Sequence, residues 1–116
     1  MKALGGIVLL GMVFLLAGCR PRDASPDVPS DVKVENLRTS RKADGSSFII
    51  GVVRNTADRP YSVIHIEFNC YDDHDNFIGE ANAYESNLRA HEVWNFTTTM
   101  PQGATQFKLS QVNGSH

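Results

Sequence analysis

The chain has 116 residues, with 11 Lys and Arg against 13 Asp and Glu, a formal charge of −2 and 41% hydrophobic residues. That is room for one domain at most. The charge balance excludes the basic footprint of a nucleic-acid binder.

Met1 and Lys2 form a short positive start, followed by the apolar, glycine-bearing run from Ala3 to Leu16. Such a run falls short of the ~20 apolar residues that a membrane-spanning helix needs. It ends in small residues and passes into a polar segment, the pattern of a cleaved secretory signal. Leu16-Ala17-Gly18-Cys19 resembles the bacterial lipobox. The small side chains at 17 and 18 suit the cleft of a lipoprotein signal peptidase, and the Cys19 thiol is the nucleophile that accepts a diacylglyceryl group before cleavage. Residues 1–18 are therefore expected to be a signal peptide. The mature chain would keep 98 residues (116 less 18), with 10 Lys and Arg against 13 Asp and Glu. Two or three acyl chains on Cys19, at ~0.8 kcal/mol per buried methylene, hold a protein stably on a membrane. Acylation leaves Cys70 without a disulfide partner. The resemblance also implies a cell-envelope location. Arg20 stands where an Asp would resemble an inner-membrane retention signal, so in a Gram-negative cell the periplasmic face of the outer membrane is expected.

Residues 19–30 carry three prolines, Pro21, Pro26 and Pro29, and few apolar side chains. They read as the lipidated N-terminus and an extended linker that, at ~3.1 Å per residue, holds the domain up to about 35 Å from the lipid.

From residue 31 the patterning is that of β-structure. Val32, Val34 and Leu37 mark a first strand, and Ser40 to Ser46 a polar turn. Phe48-Ile49-Ile50-Gly51-Val52-Val53 is a continuous apolar run that suits a sandwich centre. After the turn Asn55–Pro60, the segment Tyr61–Tyr71 alternates. Ile64, Ile66, Phe68 and Cys70 share one face, and His65, Glu67 and Asn69 the other. Asp72–Asn76 is a polar turn into Phe77-Ile78-Gly79. A loop follows around Leu88–Glu92, and Val93–Met100 and Thr105–Val112 read as two more strands. Residues 113–116 are expected to fray. Six to seven short strands with regular turn signals predict an all-β, antiparallel sandwich over 31–112.

The stretch Phe48–Met100 resembles the FxLyD domain of bacterial and archaeal cell-surface proteins. Ile49-x-Gly51-x-Val53-x-Asn55 is similar to its opening strand and turn. Arg59-Pro60-Tyr61 follows where its turn returns, and Phe68-Asn69-Cys70-Tyr71-Asp72 matches its naming motif with Cys70 in place of leucine. Leu88–Glu92, Trp94 and Phe96 resemble its closing segment. The resemblance covers about half of the mature chain. It implies an immunoglobulin-like β-sandwich, often carried on lipoproteins, without established enzymatic activity. Asp75 takes the place of a glycine usual in the Asp72–Asn76 turn, and Asp tolerates the left-handed geometry that such a turn requires.

The acidic turn is the sharpest candidate site, since Asp72, Asp73 and Asp75 offer the hard oxygens that suit Ca²⁺. The glycine and distal glutamate of a Ca²⁺ loop are missing, and Asp72 reads more simply as a cap on hairpin N–H groups. His65, His74 and His91 lack the spacing of a zinc site. Cys70, on an apolar strand face, reads as a core residue and not as a nucleophile. Trp94, Phe96 and Met100 share a strand face and are expected to pack inside. No cofactor beyond the acyl groups is implied. The expected function is that of a membrane-tethered, non-catalytic lipoprotein whose sandwich mediates protein interaction or envelope assembly, with strand addition at an open edge as one mode of capture. The alternative is a small-ligand or metal-binding lipoprotein with the acidic turn or the Tyr84–Glu92 loop lining its site.

Overall fold

A computed structural model describes residues 25–116. The signal segment, Leu16, Ala17, Gly18, Cys19 and the first part of the linker lie outside the described residues. Six strands follow one another: β1 (Val32–Arg41), β2 (Ser47–Asn55), β3 (Tyr61–Tyr71), β4 (Phe77–Leu88), β5 (Val93–Thr99) and β6 (Gln106–Ser115). No helix occurs among the described residues. One antiparallel sheet has the order β1-β2-β5 and the other β4-β3-β6, so the chain changes sheet at β2→β3, β4→β5 and β5→β6. This is the immunoglobulin-like arrangement, with β1, β2 and β5 in the positions of strands A, B and E and β3 and β6 in those of C and F. β4 extends the second sheet beside β3.

Alternation decides which side chains meet between the sheets. From β3, Ile64, Ile66, Phe68 and Cys70 point inward and are fully buried. From β2, Ile49, Gly51, Val53 and Asn55 do the same. The sheets are joined through aromatic contacts. Phe68 stacks on Phe96 of the opposite sheet at 5.9 Å and meets the edge of Phe107 at 5.4 Å. Burying one such side chain contributes ~1.5–3 kcal/mol. Phe96 and Met100 are buried, whereas Trp94 is half-buried and tilts against Phe96 at 5.5 Å.

Several boundaries differ from the sequence reading, each for a local reason. Leu37 is out of step with Val32 and Val34, and a bulge corrects it. The register against β2 slips between Glu35 and Arg38, with Asn36 at φ 57°. The extra residue turns Leu37 back toward the core, where it covers Gly51. The segment Tyr84–Leu88, expected as part of a loop over Tyr84–Glu92, belongs to β4. It pairs with β3 from Tyr61↔Leu88 onward, and only 89–92 turn. The polar composition of β4 disguised it, because its outer face meets solvent and its inner face uses small Ala81 and Ala83. At the end of the chain, 113–115 continue β6 through the pairs His65↔Asn113, Ile64↔Gly114 and Val63↔Ser115, where fraying was expected. Gly114 permits this closeness, since a Cβ there would lie 2.7 Å from the Val63 carbonyl oxygen and 2.8 Å from the Tyr61 ring.

The domain also begins earlier than residue 31. Asp27 forms a parallel bridge to Gln111, its N–H donating to the Ser110 carbonyl (3.3 Å) and its carbonyl accepting from the Val112 N–H (2.8 Å). Val28 packs against the core. The linker boundary at residue 30 therefore moves back to about residue 26.

Gly51 lies opposite Phe96 in the ladder, and a Cβ on it would fall 2.7 Å from Leu37 Cδ2 and 2.8 Å from Phe96 Cζ. Gly51→Ala is expected to lower stability by ~1–3 kcal/mol through overpacking, read as a lower denaturant midpoint at unchanged slope. An unchanged midpoint would show that Leu37 and Phe96 move aside freely.

Candidate functional site

Each end of the sandwich gathers polar groups, and the two ends are built differently. At the first end the chain passes from β2 to β3 through 56–60 and from β4 to β5 through 89–92. Loops of this kind expose backbone carbonyls that need donors. Asn55, the last residue of β2 and completely buried, supplies them. Its Nδ2 donates to the carbonyls of Arg59 (3.0 Å), Leu88 (3.2 Å) and Arg89 (3.1 Å), and its Oδ1 accepts from the Ala57 N–H (2.9 Å). Its own backbone N–H donates to the Glu92 carbonyl at 3.0 Å. One side chain thus fixes both crossovers.

Beside it lies a second polar cluster, which the sequence did not announce. The Tyr61 ring is buried, and its hydroxyl donates to Asp31 Oδ1. The His116 ring stacks on Tyr61 at 3.9 Å, with Nε2 3.3 Å from Asp31 Oδ2 and Nδ1 2.9 Å from the Pro60 carbonyl. The Asp31 carbonyl in turn accepts from the Thr56 N–H at 2.9 Å. Burial, reinforced by the bond to Asp31, pushes the Tyr61 phenol up to about 12, while that same bond draws Asp31 below the usual carboxylate range. A phenol held protonated is the reverse of an activated nucleophile. The cluster acts as a clasp joining the residue before β1, the start of β3 and the residue after β6. Nothing in the spacing of positions 31, 61 and 116 signals that they meet; only the fold does.

At the opposite end, Asp72 does what its position suggested. Oδ1 accepts from the N–H groups of His74 (2.8 Å) and Asn76 (2.9 Å), and Oδ2 accepts from Asn76 Nδ2 at 3.2 Å. These bonds, that from the Asn76 N–H foremost, lower its pKa. Asp75 adopts φ 66°, the left-handed turn position. Asp73 faces a different neighbour, accepting from Thr105 Oγ1 at 2.7 Å. The carboxylates of Asp72 and Asp73 are thus engaged by different neighbours. Among the described residues, no three His, Cys, Asp or Glu side chains gather in a group that could hold a metal ion. Next to this turn an open groove of about 520 Å³ runs between the β1–β2 turn and the β5–β6 loop, with Arg41, Ser46, Thr99 and Gln102 on its walls.

The histidines are scattered. His65 lies on the outer face of the second sheet, stacked on Tyr84 at 4.3 Å and 2.7 Å from Asn82 Oδ1. His74 sits in the acidic turn. His91 is at the other end, exposed, with Nε2 2.9 Å from Asp58 Oδ1. The segment Tyr84–Glu92 cannot line a pocket as a loop, since most of it is β4. Cys70 is fully buried, and burial raises its thiol to about 11, far from the thiolate that reaction needs.

The FxLyD-like positions fall into the two layers just described. Gly51, Phe68, Cys70, Tyr71 and Phe96 are buried in or beside the core, Trp94 flanks it, and Asn55 and Asp72 organise opposite ends. Comparison with family models, with curated proteins and with solved structures yields no match to this chain.

Two acids, Tyr61 and Cys70, have raised values in the folded state. Their unfolded counterparts ionise first as pH rises, so the folded form retains more protons and loses stability above about pH 9. Denaturant unfolding between pH 8 and 11 is expected to show this decline. Tyr61→Phe should start less stable at pH 8 and fall more gently. A flat profile across this range would contradict the buried, protonated state of both groups.

Proposed function

We propose that this chain is a membrane-tethered lipoprotein of the cell envelope, anchored by acylated Cys19, whose β-sandwich is a non-catalytic module for protein interaction or envelope assembly. The observation that carries the reading is the sequence Leu16-Ala17-Gly18-Cys19 directly after an apolar run of signal-peptide length. Diacylglycerol on that thiol and an N-acyl chain on the Cys19 amine would be its only non-protein components, and membrane lipid its first partner. A protein partner of unknown identity would be the second. Arg20 favours the periplasmic face of the outer membrane in a Gram-negative cell.

The character of the domain supports the non-catalytic half of the proposal. Its polar clusters serve as clasps and caps, with the Tyr61 hydroxyl and the Cys70 thiol held protonated and the Asp72 carboxylate engaged by the N–H groups of its own turn. An FxLyD-like identity is favoured by the structural roles of its motif positions, Asn55 above all, and rests on those roles without a family match. Strand edges are the natural place for a protein partner. Two are partly blocked, since Asp27 occupies part of the β6 edge and Thr98 Oγ1 donates to the Asn82 carbonyl of β4 at 2.7 Å.

Metabolic labelling of the full chain with palmitate in a lipoprotein-processing bacterium tests the anchor. Label is expected in the membrane fraction for the native chain, and Cys19→Ala is expected to remove at least nine-tenths of it. Equal labelling of both forms, or an unlabelled native chain, would refute the reading.

A further inference from the structure

If Cys19 carries lipid, the way the chain enters the domain determines which end of the sandwich meets the membrane. The parallel bridge between Asp27 and Gln111 sets the direction. β6 runs from Gln106, beside Tyr71, to Ser115, beside Val63. A segment parallel to it that passes Gln111 at Asp27 must come from the Gln106 side. Pro26 holds φ near −65° and keeps Ser25 before it extended, so no reversal is made at these residues. At residues 25–27 the chain therefore enters from the side of the end that carries the turns 42–46 and 72–76 and the loop 100–105.

Length then limits the distance. From Asp27 back to Cys19 there are eight residue steps, which span at most about 28 Å fully extended. Along β6 this end lies five residues from Gln111, or about 17 Å. Cys19 can therefore reach no more than roughly 10 Å beyond this end of the sandwich. Because Asp27 is already bridged to the domain, this reach is far shorter than the about 35 Å expected of a free linker through residue 30, and it keeps this end close to a bilayer surface.

The surface at this end suits such contact. Phe77 is 57% exposed and Ile78 38% exposed. The ladder slips here, with Cys70 opposite Gly79 but Tyr71 opposite Phe77, so two adjacent apolar side chains are displayed at the rim. The edge of Tyr71 supports Phe77 at 5.9 Å. Arg41 and Lys42 on the neighbouring turn are outnumbered by Asp44, Asp72, Asp73 and Asp75, so attraction rests on apolar contact and not on charge. The far end exposes the smaller Val63 and Val93, set among exposed Asp58, Arg59, Arg89 and His91, and it carries no exposed aromatic side chain comparable to Phe77.

We infer that the tethered domain rests on the phospholipid surface through the Phe77–Ile78 end, with Phe77 and Ile78 at headgroup level and the Asn55 end turned away toward a partner. This rests on the reading of Cys19 as the lipid anchor, and the two can be separated experimentally. Phe77→Cys, Gln102→Cys and Asp58→Cys place reporter thiols at the near end (two sites) and the far end. Cys70 is buried and an acylated Cys19 has no free thiol, so an environment-sensitive fluorophore attaches to the introduced residue. The acylated full chains are reconstituted in vesicles of phosphatidylethanolamine and phosphatidylglycerol containing spin-labelled lipid. Quenching at 77 and 102 is expected to be at least threefold stronger than at 58, with little change on adding salt. Gln102→Cys keeps Phe77 intact, so it reports even if the other substitution weakens the contact. Equal quenching at both ends, or stronger quenching at 58, in a chain acylated at Cys19 would overturn the orientation alone. This would leave Phe77 and Ile78 as a protein contact. An unmodified Cys19 in the membrane-extracted chain would overturn the anchor, and the orientation with it.

Discussion

Asn55 is the one polar side chain on which the rest of the sandwich depends. A two-sheet fold must carry its chain from one layer to the other, and the carbonyls exposed at each crossing need donors that a dry core does not supply. Here a single buried amide serves carbonyls at 59, 88 and 89 and accepts from the N–H at 57. Two crossovers far apart in sequence thereby become one structural unit. Removing the amide would leave several buried groups without partners, at a cost of ~1–3 kcal/mol for each one that water cannot reach.

With that end fixed, the remaining features arrange themselves around it. The Asp31–Tyr61–His116 clasp closes the same end by drawing in the residue before β1 and the residue after β6. Asp27, bridged to β6, passes the constraint on to the linker. The opposite end is held by local turns, Asp72 capping one and Gly45 turning another at φ 92°, and by longer-range bonds from Thr105 Oγ1 to Asp73 and from Gln106 Nε2 to the Asp72 carbonyl. Residues 25–27 enter the domain from the side of this end.

Much of this was legible in the sequence wherever one side chain per pair faces a core. The Tyr61–Tyr71 alternation gives β3 its register, the Phe48–Val53 run gives the central strand of the other sheet, and Asp72 and Asp75 disclose their turn roles. What was hidden follows from two physical causes. β4 is an edge strand whose inner face is filled by alanines, so its hydrophobic period is faint. The inward turn of Leu37, the pairing of 113–115 and the linker boundary depend on a bulge, a close approach over Gly114 and a bridge between residues far apart in sequence. These are long-range events without a local signature. The Tyr61 clasp is of the same kind, since its three members are drawn from both termini of the domain and its middle.

The coupling of the two crossovers through Asn55 is the claim from which the other conclusions descend, and hydrogen exchange on Asn55→Ala tests it most directly. Amide protection should fall together in 56–61 and in 89–93, by a factor of roughly ten or more beyond the global loss of stability, while the turn at 42–46 keeps its native pattern. Loss confined to one crossover, or spread evenly over both ends of the sandwich, would contradict the account.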